Sequence, residues 1–131
     1  RYTPDALSEK TYRLAATAVG GHALFGGGSG AAAVTAYDAG LTRTLPGSLS
    51  YGAYDLAAVA VGDYALFGGG SGYVDTVNAY DENLTRTIPP GLSSGRTRLA
   101  AAAVGGYALF GGGTCGTKSY NTSAAVDAYA A

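Results

Sequence analysis

Four side chains suited to ligand binding stand just before the predicted innermost strands: Tyr12, Tyr54, Arg96 and Arg98. Tyrosine and arginine stack on sugar or base rings and donate hydrogen bonds, and both are common at binding surfaces. The same residues also suit a structural role, in which they cap the strands and pair with Asp55. The residue types alone leave both interpretations open.

A second candidate binding region follows the third run of glycines, in "GGGTCGTKSYNTSAAVDAY". This segment is six residues longer than its counterpart in the second copy and carries Lys118, Tyr120 and Asn121. It is typical of a binding loop, or of an older loop length that the first two copies have lost. Together with Tyr73, the residues Lys118 and Tyr120 complete the predicted binding set, because propellers usually bind ligands through such loops.

Residues that usually carry catalysis or bind metals are sparse. His22 is the only histidine, and Tyr64 and Tyr107 stand in its place in the other copies. A copper site needs imidazole ligands, which one histidine cannot supply. The glycine runs lack the lysine and following helix of a phosphate loop. Cys115, the single cysteine, leaves a free thiol or an intermolecular pair. We therefore expect no catalytic site, no metal, no cofactor and no enzyme activity.

Charge and hydropathy exclude two classes of partner. The chain has 8 basic and 9 acidic residues and a formal net charge of -1, so it lacks the basic surface that nucleic acid or an acidic membrane attracts. No stretch reaches the ~18 consecutive apolar residues of a transmembrane helix. We expect neither nucleic acid nor a membrane as partner, and nothing in the sequence indicates a compartment.

An internal repeat determines the expected fold. The pattern "LAAxAVGxxALFGGG" occurs three times with twelve of its fifteen positions identical, and Leu24, Leu66 and Leu109 mark a spacing of 42 and then 43 residues. In the first copy, turn signals separate four predicted strands, at residues 14–19, 22–25, 34–37 and 41–45. Four-stranded units at such a period are typical of β-propeller blades. The sequence predicts an all-β chain with blades at residues 14–46, 56–89 and 99–131, in one domain of 131 residues.

The repeat resembles the kelch motif, in which apolar residues precede a double glycine and a tyrosine follows. The matching residues are "HALFGG" with Tyr37, "YALFGG" with Tyr80 and "YALFGG" with Tyr129. The resemblance extends over essentially the whole chain and implies a kelch-type propeller. Kelch repeats usually carry a tryptophan, and this chain has none.

The N-terminal residues align with the fourth strands of the repeat. Arg1, Tyr2, Thr3 and Pro4 match the segments that begin at Arg43 and Arg86, and the third copy lacks its own fourth strand. We expect residues 1–4 to complete the third blade of a partner chain. Since propellers usually have four to eight blades, two chains give a six-bladed homodimer, whereas three would give nine.

Two functions remain from different classes. The first is a non-enzymatic, self-assembling propeller domain, either a natural fragment or an engineered symmetric scaffold. The near identity of the three copies favours recent duplication or deliberate symmetry. The alternative is a ligand-binding module, lectin-like or protein-binding, that uses the loop face. We define the loop face as the side with the linkers between blades and the loops after the glycine runs. The sequence does not identify a small-molecule or glycan ligand.

Overall fold

The computed structural model describes residues 1–29, 32–115 and 121–131. Within these residues the chain forms strands and no helix, so the predicted all-β class is confirmed. The described strands assemble into four small antiparallel sheets of two to four strands. Among the same residues, no helix is long and apolar enough to cross a membrane.

Three of the sheets follow the three copies of the repeat, and each is a meander of neighbouring strands. Sheet 1 comprises β1 (Ala15–Val19), β2 (His22–Gly26), β3 (Val34–Tyr37) and β4 (Arg43–Thr44). Sheet 2 comprises β5 (Ala57–Val61), β6 (Tyr64–Gly68), β7 (Val77–Asp81) and β8 (Arg86–Thr87). Two short strands that were not predicted, β9 (Arg96–Thr97) and β12 (Thr114–Cys115), pair as a separate sheet. Sheet 3 comprises β10 (Ala100–Val104), β11 (Tyr107–Gly111) and β13 (Val126–Ala130).

The first three strands of the first copy lie within one residue of their predicted bounds, whereas the fourth is shorter. The Asp38 carboxylate accepts hydrogen bonds from the backbone N–H groups of Gly40 and Thr42, both at 2.9 Å. Leu41 lies in this turn with a φ of 63°. The turn therefore takes residues 41 and 42, which were predicted as strand, and β4 keeps two residues.

The tight turn between β1 and β2 explains the paired glycines of the first repeat. Gly20 and Gly21 have φ values of 54° and 77°, and they connect the paired residues Val19 and His22. Positive φ at both central residues is the pattern of a type I′ hairpin, which glycine adopts without steric cost. A Cβ atom added to Gly20 would lie 2.5 Å from Cβ of Glu82, so this turn also abuts sheet 2.

Sheets 1, 2 and 3 pack face to face through two apolar clusters of similar composition. Val19 of sheet 1 and Phe67 of sheet 2 are buried in the first cluster. Val61 of sheet 2 and Phe110 of sheet 3 are buried in the second. Removing this apolar surface from water is the main force that holds the sheets together.

A phenylalanine packs against a glycine at each of these two contacts. A Cβ atom added to Gly26 would lie 2.9 Å from Cε1 of Phe67, and one added to Gly68 would lie 2.9 Å from Cε1 of Phe110. Glycine within a strand allows this close approach to the backbone. The glycine of one sheet and the phenylalanine of the next thus form the repeated contact between sheets.

A tyrosine on the third strand of each sheet fixes the linker that precedes that sheet. The three hydroxyls donate to backbone carbonyl oxygens at 2.7, 2.6 and 2.8 Å, in the pairs Tyr37–Asp5, Tyr80–Gly47 and Tyr129–Pro90. Burial raises the pKa of Tyr80 to about 12, so its phenol stays protonated and can donate. Residues 5–13 thus lie across sheet 1 as residues 47–55 lie across sheet 2.

Candidate functional site

The candidate site is a row of three charged residues at the points where the linkers lead into the first strands. Arg13, Asp55 and Arg98 occupy equivalent positions of the three repeats, with φ values of 60°, 58° and 59°. The backbone N–H of Asp55 donates to the carbonyl of Arg13 at 3.0 Å, and that of Arg98 donates to the carbonyl of Asp55 at 2.8 Å. One continuous row therefore crosses from sheet 1 to sheet 3.

Asp55 pairs with both arginines of the row. Its Oδ1 accepts a hydrogen bond from Nε of Arg13 at 2.9 Å, and its Oδ2 accepts a second from Nη2 of Arg13. Nε of Arg98 lies 3.3 Å from the same Oδ2. The bonds from Arg13 are the largest cause that lowers the pKa of the Asp55 carboxyl, and they raise the pKa of Arg13. Arg98 therefore makes the pairing with Asp55 that the structural interpretation expected.

A cavity of about 240 Å³ opens beside the row, among the linker and loop residues that adjoin sheets 2 and 3. Tyr54 and Tyr73, two of the predicted binding residues, line it together with the three charged side chains. The guanidinium carbon of Arg13 lies 4.4 Å from the centre of the Tyr54 ring, a cation–π contact. An aromatic ring, a carboxylate and two guanidinium groups together suit a small polar or anionic ligand.

Tyr12 lies at the position equivalent to Tyr54 in the first repeat, but it is not among the residues that line the cavity of Tyr54 and Tyr73. Its side chain is exposed, and its carbonyl accepts the N–H of Ser29 at 3.1 Å. The carbonyl of Tyr54 accepts the N–H of Ser71 in the same way, at 2.8 Å. Tyr12 therefore makes the same backbone contact in the first repeat as Tyr54 makes in the second, but it does not line the cavity beside the charged row.

Arg96 lies apart from this cavity. Its side chain is completely buried, and its Nη1 donates to the carbonyls of Gly112 at 3.1 Å and Ala125 at 2.7 Å. Its Nη2 pairs with the carboxylate of Asp127. The guanidinium thus connects the linker to sheet 3 and is not presented on the loop face. Arg96 pairs with Asp127, whereas the capping interpretation assigned it to Asp55.

The remaining predicted residues divide into two groups. Lys118 and Tyr120 lie outside the described residues. Residues 1–4 are described but form no strand within this chain, and Tyr2 is exposed. Pro4 lines an apolar groove on sheet 1.

The described residues hold no group of three His, Cys, Asp or Glu side chains that could bind a metal ion. His22 contacts the carbonyl of Gly20 through Nδ1 at 3.2 Å, within its own hairpin. The sequence reasoning did not name Arg13. The signal was nonetheless present, because a charged residue stands directly before each "LAA" of the repeat.

Comparison with known proteins adds no relative: no protein-family model matches the chain, and a search of the curated proteins gives no significant match.

Proposed function

We propose that this chain is a non-enzymatic, self-assembling domain in which two copies, each of three kelch-like blades, close a six-bladed propeller. The observation that carries the proposal is the composition of the outer face of sheet 3. Val104 and Val126 are 67% and 60% exposed there, whereas their counterparts on sheet 2, Val61 and Val77, are 5% and 0% exposed. The outer face of sheet 3 has the residues of a core contact and lacks the sheet that would cover it within the described chain.

Sheet 1 offers the complementary face. Phe25 occupies the position of Phe67 and Phe110, which pack against a glycine of the preceding sheet. A groove of about 470 Å³ lies beside it, lined by apolar residues such as Leu7 and Ala23. By the same relation, Phe25 of the partner subunit would pack against Gly111. A second copy is therefore the occupant that fits each open face.

The short fourth strands favour the same closure. In sheets 1 and 2 the third-strand tyrosine pairs with the arginine that begins the fourth strand, in the register Tyr37–Arg43 and Tyr80–Arg86. The equivalent pair for sheet 3 is Tyr129 with Arg1 of the partner subunit. Residues 1–4 of one copy would thus supply the fourth strand of the other.

Two copies give six blades, which lies within the usual range of four to eight. A ring of two chains has the two-fold symmetry that is commonest among oligomers. Each copy would contribute one open face to each of two identical junctions, leaving no exposed sheet face. Three copies would close nine blades, outside that range.

Light scattering on the purified 131-residue chain at micromolar concentration tests the proposal. We expect the mass of two chains of 12.9 kDa. Val126→Asp places a charge in the junction and should give a folded monomer, whereas Ile88→Asp is the matched control. Ile88 is exposed directly after β8 of sheet 2, and sheet 2 already has a neighbouring sheet on each side, so this variant should remain dimeric. A folded monomer of the unmodified chain would contradict the proposal, and a mass of three chains would replace six blades by nine.

A ligand-binding module is the second candidate, and the cavity at Tyr54 and Tyr73 favours it. A ring that stacks and charged groups that donate and accept hydrogen bonds are what a sugar-binding site requires. A glycan array with the unmodified chain and with Tyr54→Ala tests this candidate. Binding that the substitution abolishes supports a lectin-like role, and no retained sugar at millimolar concentration contradicts it.

A further inference from the structure

The charged row extends naturally across the proposed junction. Within one chain, each step from Arg13 to Asp55 to Arg98 joins equivalent residues of adjacent repeats by a backbone hydrogen bond of 2.8 to 3.0 Å. If sheet 1 of the partner follows sheet 3 in the same way, the next member of the row is the partner's Arg13. Its N–H would donate to the carbonyl of Arg98.

Charge does not alternate at this step. Inside the chain every neighbouring pair in the row joins an arginine to Asp55, and both pairs lie within salt-bridge distance. At the junction, Arg98 would stand beside the partner's Arg13, with no carboxylate from the row between them. Two neighbouring guanidinium groups repel each other, and an anion placed between them removes the repulsion.

We infer, on the basis of the proposed ring, that each junction forms an oxyanion site in which Arg98 and the partner's Arg13 share one phosphate or carboxylate group. Nε and Nη2 of Arg13 already bond to Asp55, which leaves Nη1 of the partner's Arg13 and the outer nitrogens of Arg98 to donate charge-assisted hydrogen bonds to the anion. The ring would hold two of these sites, one at each junction, facing its centre.

The existing contacts leave Arg98 suitably placed for this role. Among the described residues its guanidinium bonds only through Nε, at 3.3 Å from Asp55, so its outer nitrogens can meet another acceptor. The stacking of Arg13 over Tyr54 has a counterpart at the junction, where Arg98 would lie over the partner's Tyr12. Tyr12 thus gains a function that it lacks within one chain: it orients the guanidinium that binds the anion.

Calorimetric titration of the whole chain with inorganic phosphate tests the inference. The titration is made at constant ionic strength with chloride as the reference anion, because screening alone also relieves repulsion. We expect two phosphates per dimer. Arg98→Gln should weaken binding by about tenfold or more, since it removes charge-assisted hydrogen bonds. Arg86→Gln is the matched control, with the same change of charge on the outer strand of sheet 2, and should leave the affinity unchanged.

Light scattering on the same samples separates the two proposals. A dimer that binds no phosphate overturns the anion site and leaves the ring intact. A monomer overturns the ring, and the junction site with it. Equal loss of binding in the Arg98 and Arg86 variants indicates an adventitious electrostatic effect and overturns the site.

Discussion

Sheets 2 and 3 are built from nearly the same residues but stand in different surroundings. Val61 and Val77 of sheet 2 are buried because sheet 3 covers them, whereas Val104 and Val126 at the equivalent positions of sheet 3 are exposed. Both sheets have the same strand pairing between their first two strands. The difference shows that the repeat determines the sheet, while a neighbouring sheet determines what becomes core. The predictions below test whether a second copy supplies the missing neighbour.

The largest effects should come from two phenylalanines. Phe67 lies in the covered contact between sheets 1 and 2, and Phe25 lies on the face of sheet 1 that no sheet of the same chain covers. Phe67→Ala removes a ring from the core between sheets 1 and 2 and should lower the free energy of unfolding by about 3–5 kcal/mol. Phe25→Ala should cost a comparable amount in the dimer, because the partner's sheet 3 would bury this ring. Urea unfolding at several protein concentrations measures both.

The monomeric Val126→Asp background provides the control for this pair. Phe25 is only partly buried within one chain, so Phe25→Ala should cost clearly less in that background than in the dimer. Phe67→Ala should cost the same in both. An equal cost of Phe25→Ala in the two backgrounds would contradict the proposed contact.

Two glycines give a second matched pair with smaller effects. Neither Gly68 nor Gly111 has a positive φ, so alanine is compatible with both backbones. Gly68→Ala places a Cβ 2.9 Å from the Phe110 ring and should lower the free energy of unfolding by about 1–3 kcal/mol. At Gly111 the nearest atom is Cγ2 of Val126 at 3.4 Å, an ordinary contact within the chain.

Gly111→Ala should therefore leave the subunit folded and act on assembly. Because the partner's Phe25 would pack there at each of the two junctions, a cost of about 1–3 kcal/mol per junction should raise the dissociation constant of the dimer by about thirtyfold or more. Dilution followed by light scattering measures it. An unchanged dissociation constant would show that Gly111 does not lie in the junction.

Deletion of residues 1–4 should have a moderate effect. The fourth strands β4 and β8 contribute two paired residues each, so the partner's sheet 3 would lose a similar short pairing. With each backbone hydrogen bond contributing about 1 kcal/mol, and one or two bonds lost at each of the two junctions, the dissociation constant should rise by roughly thirtyfold to thousandfold. The unfolding of the monomeric Val126→Asp variant should not respond to the same deletion. A deletion that leaves dimerisation unchanged would remove Arg1, Tyr2, Thr3 and Pro4 from the assembly role.

The strands were largely predictable because each repeat carries its own turn signals. Gly20 and Gly21 mark the first hairpin, and the turn that begins at Asp38 marks the end of β3. The short fourth strand was not predictable from the apolar pattern, because the Asp38 side chain captures the N–H of Thr42, which a strand would have used. The pair β9 and β12 was also missed, since its two-residue strands carry no periodicity.

The candidate site was predictable in part. Tyr54 lies in the linker before the second copy and Tyr73 follows the glycine run of that copy. Both were expected on the loop face, and the structure brings them to one cavity. Arg96 was assigned to the same face from its residue type and its position before the predicted innermost strand. Its burial depends on Asp127, which stands 31 residues later in the chain and could be matched to Arg96 only once the sheets were assembled.

The smallest expected effect concerns a tyrosine in the covered contact. Burial raises the pKa of Tyr80 to about 12 from the ordinary value of 10.0, so the unfolded chain releases this proton at lower pH than the folded one. The stability that the buried phenol contributes is therefore complete below about pH 10 and is lost progressively towards pH 12. Tyr80→Phe also removes the hydrogen bond to the carbonyl of Gly47, so near pH 7 it should lower the free energy of unfolding by about 1 kcal/mol. Between pH 10 and pH 12, however, the variant should lose stability less steeply than the unmodified chain. Urea unfolding across this range measures both slopes, and parallel curves would mean that the Tyr80 phenol ionises equally readily in the folded and unfolded chain.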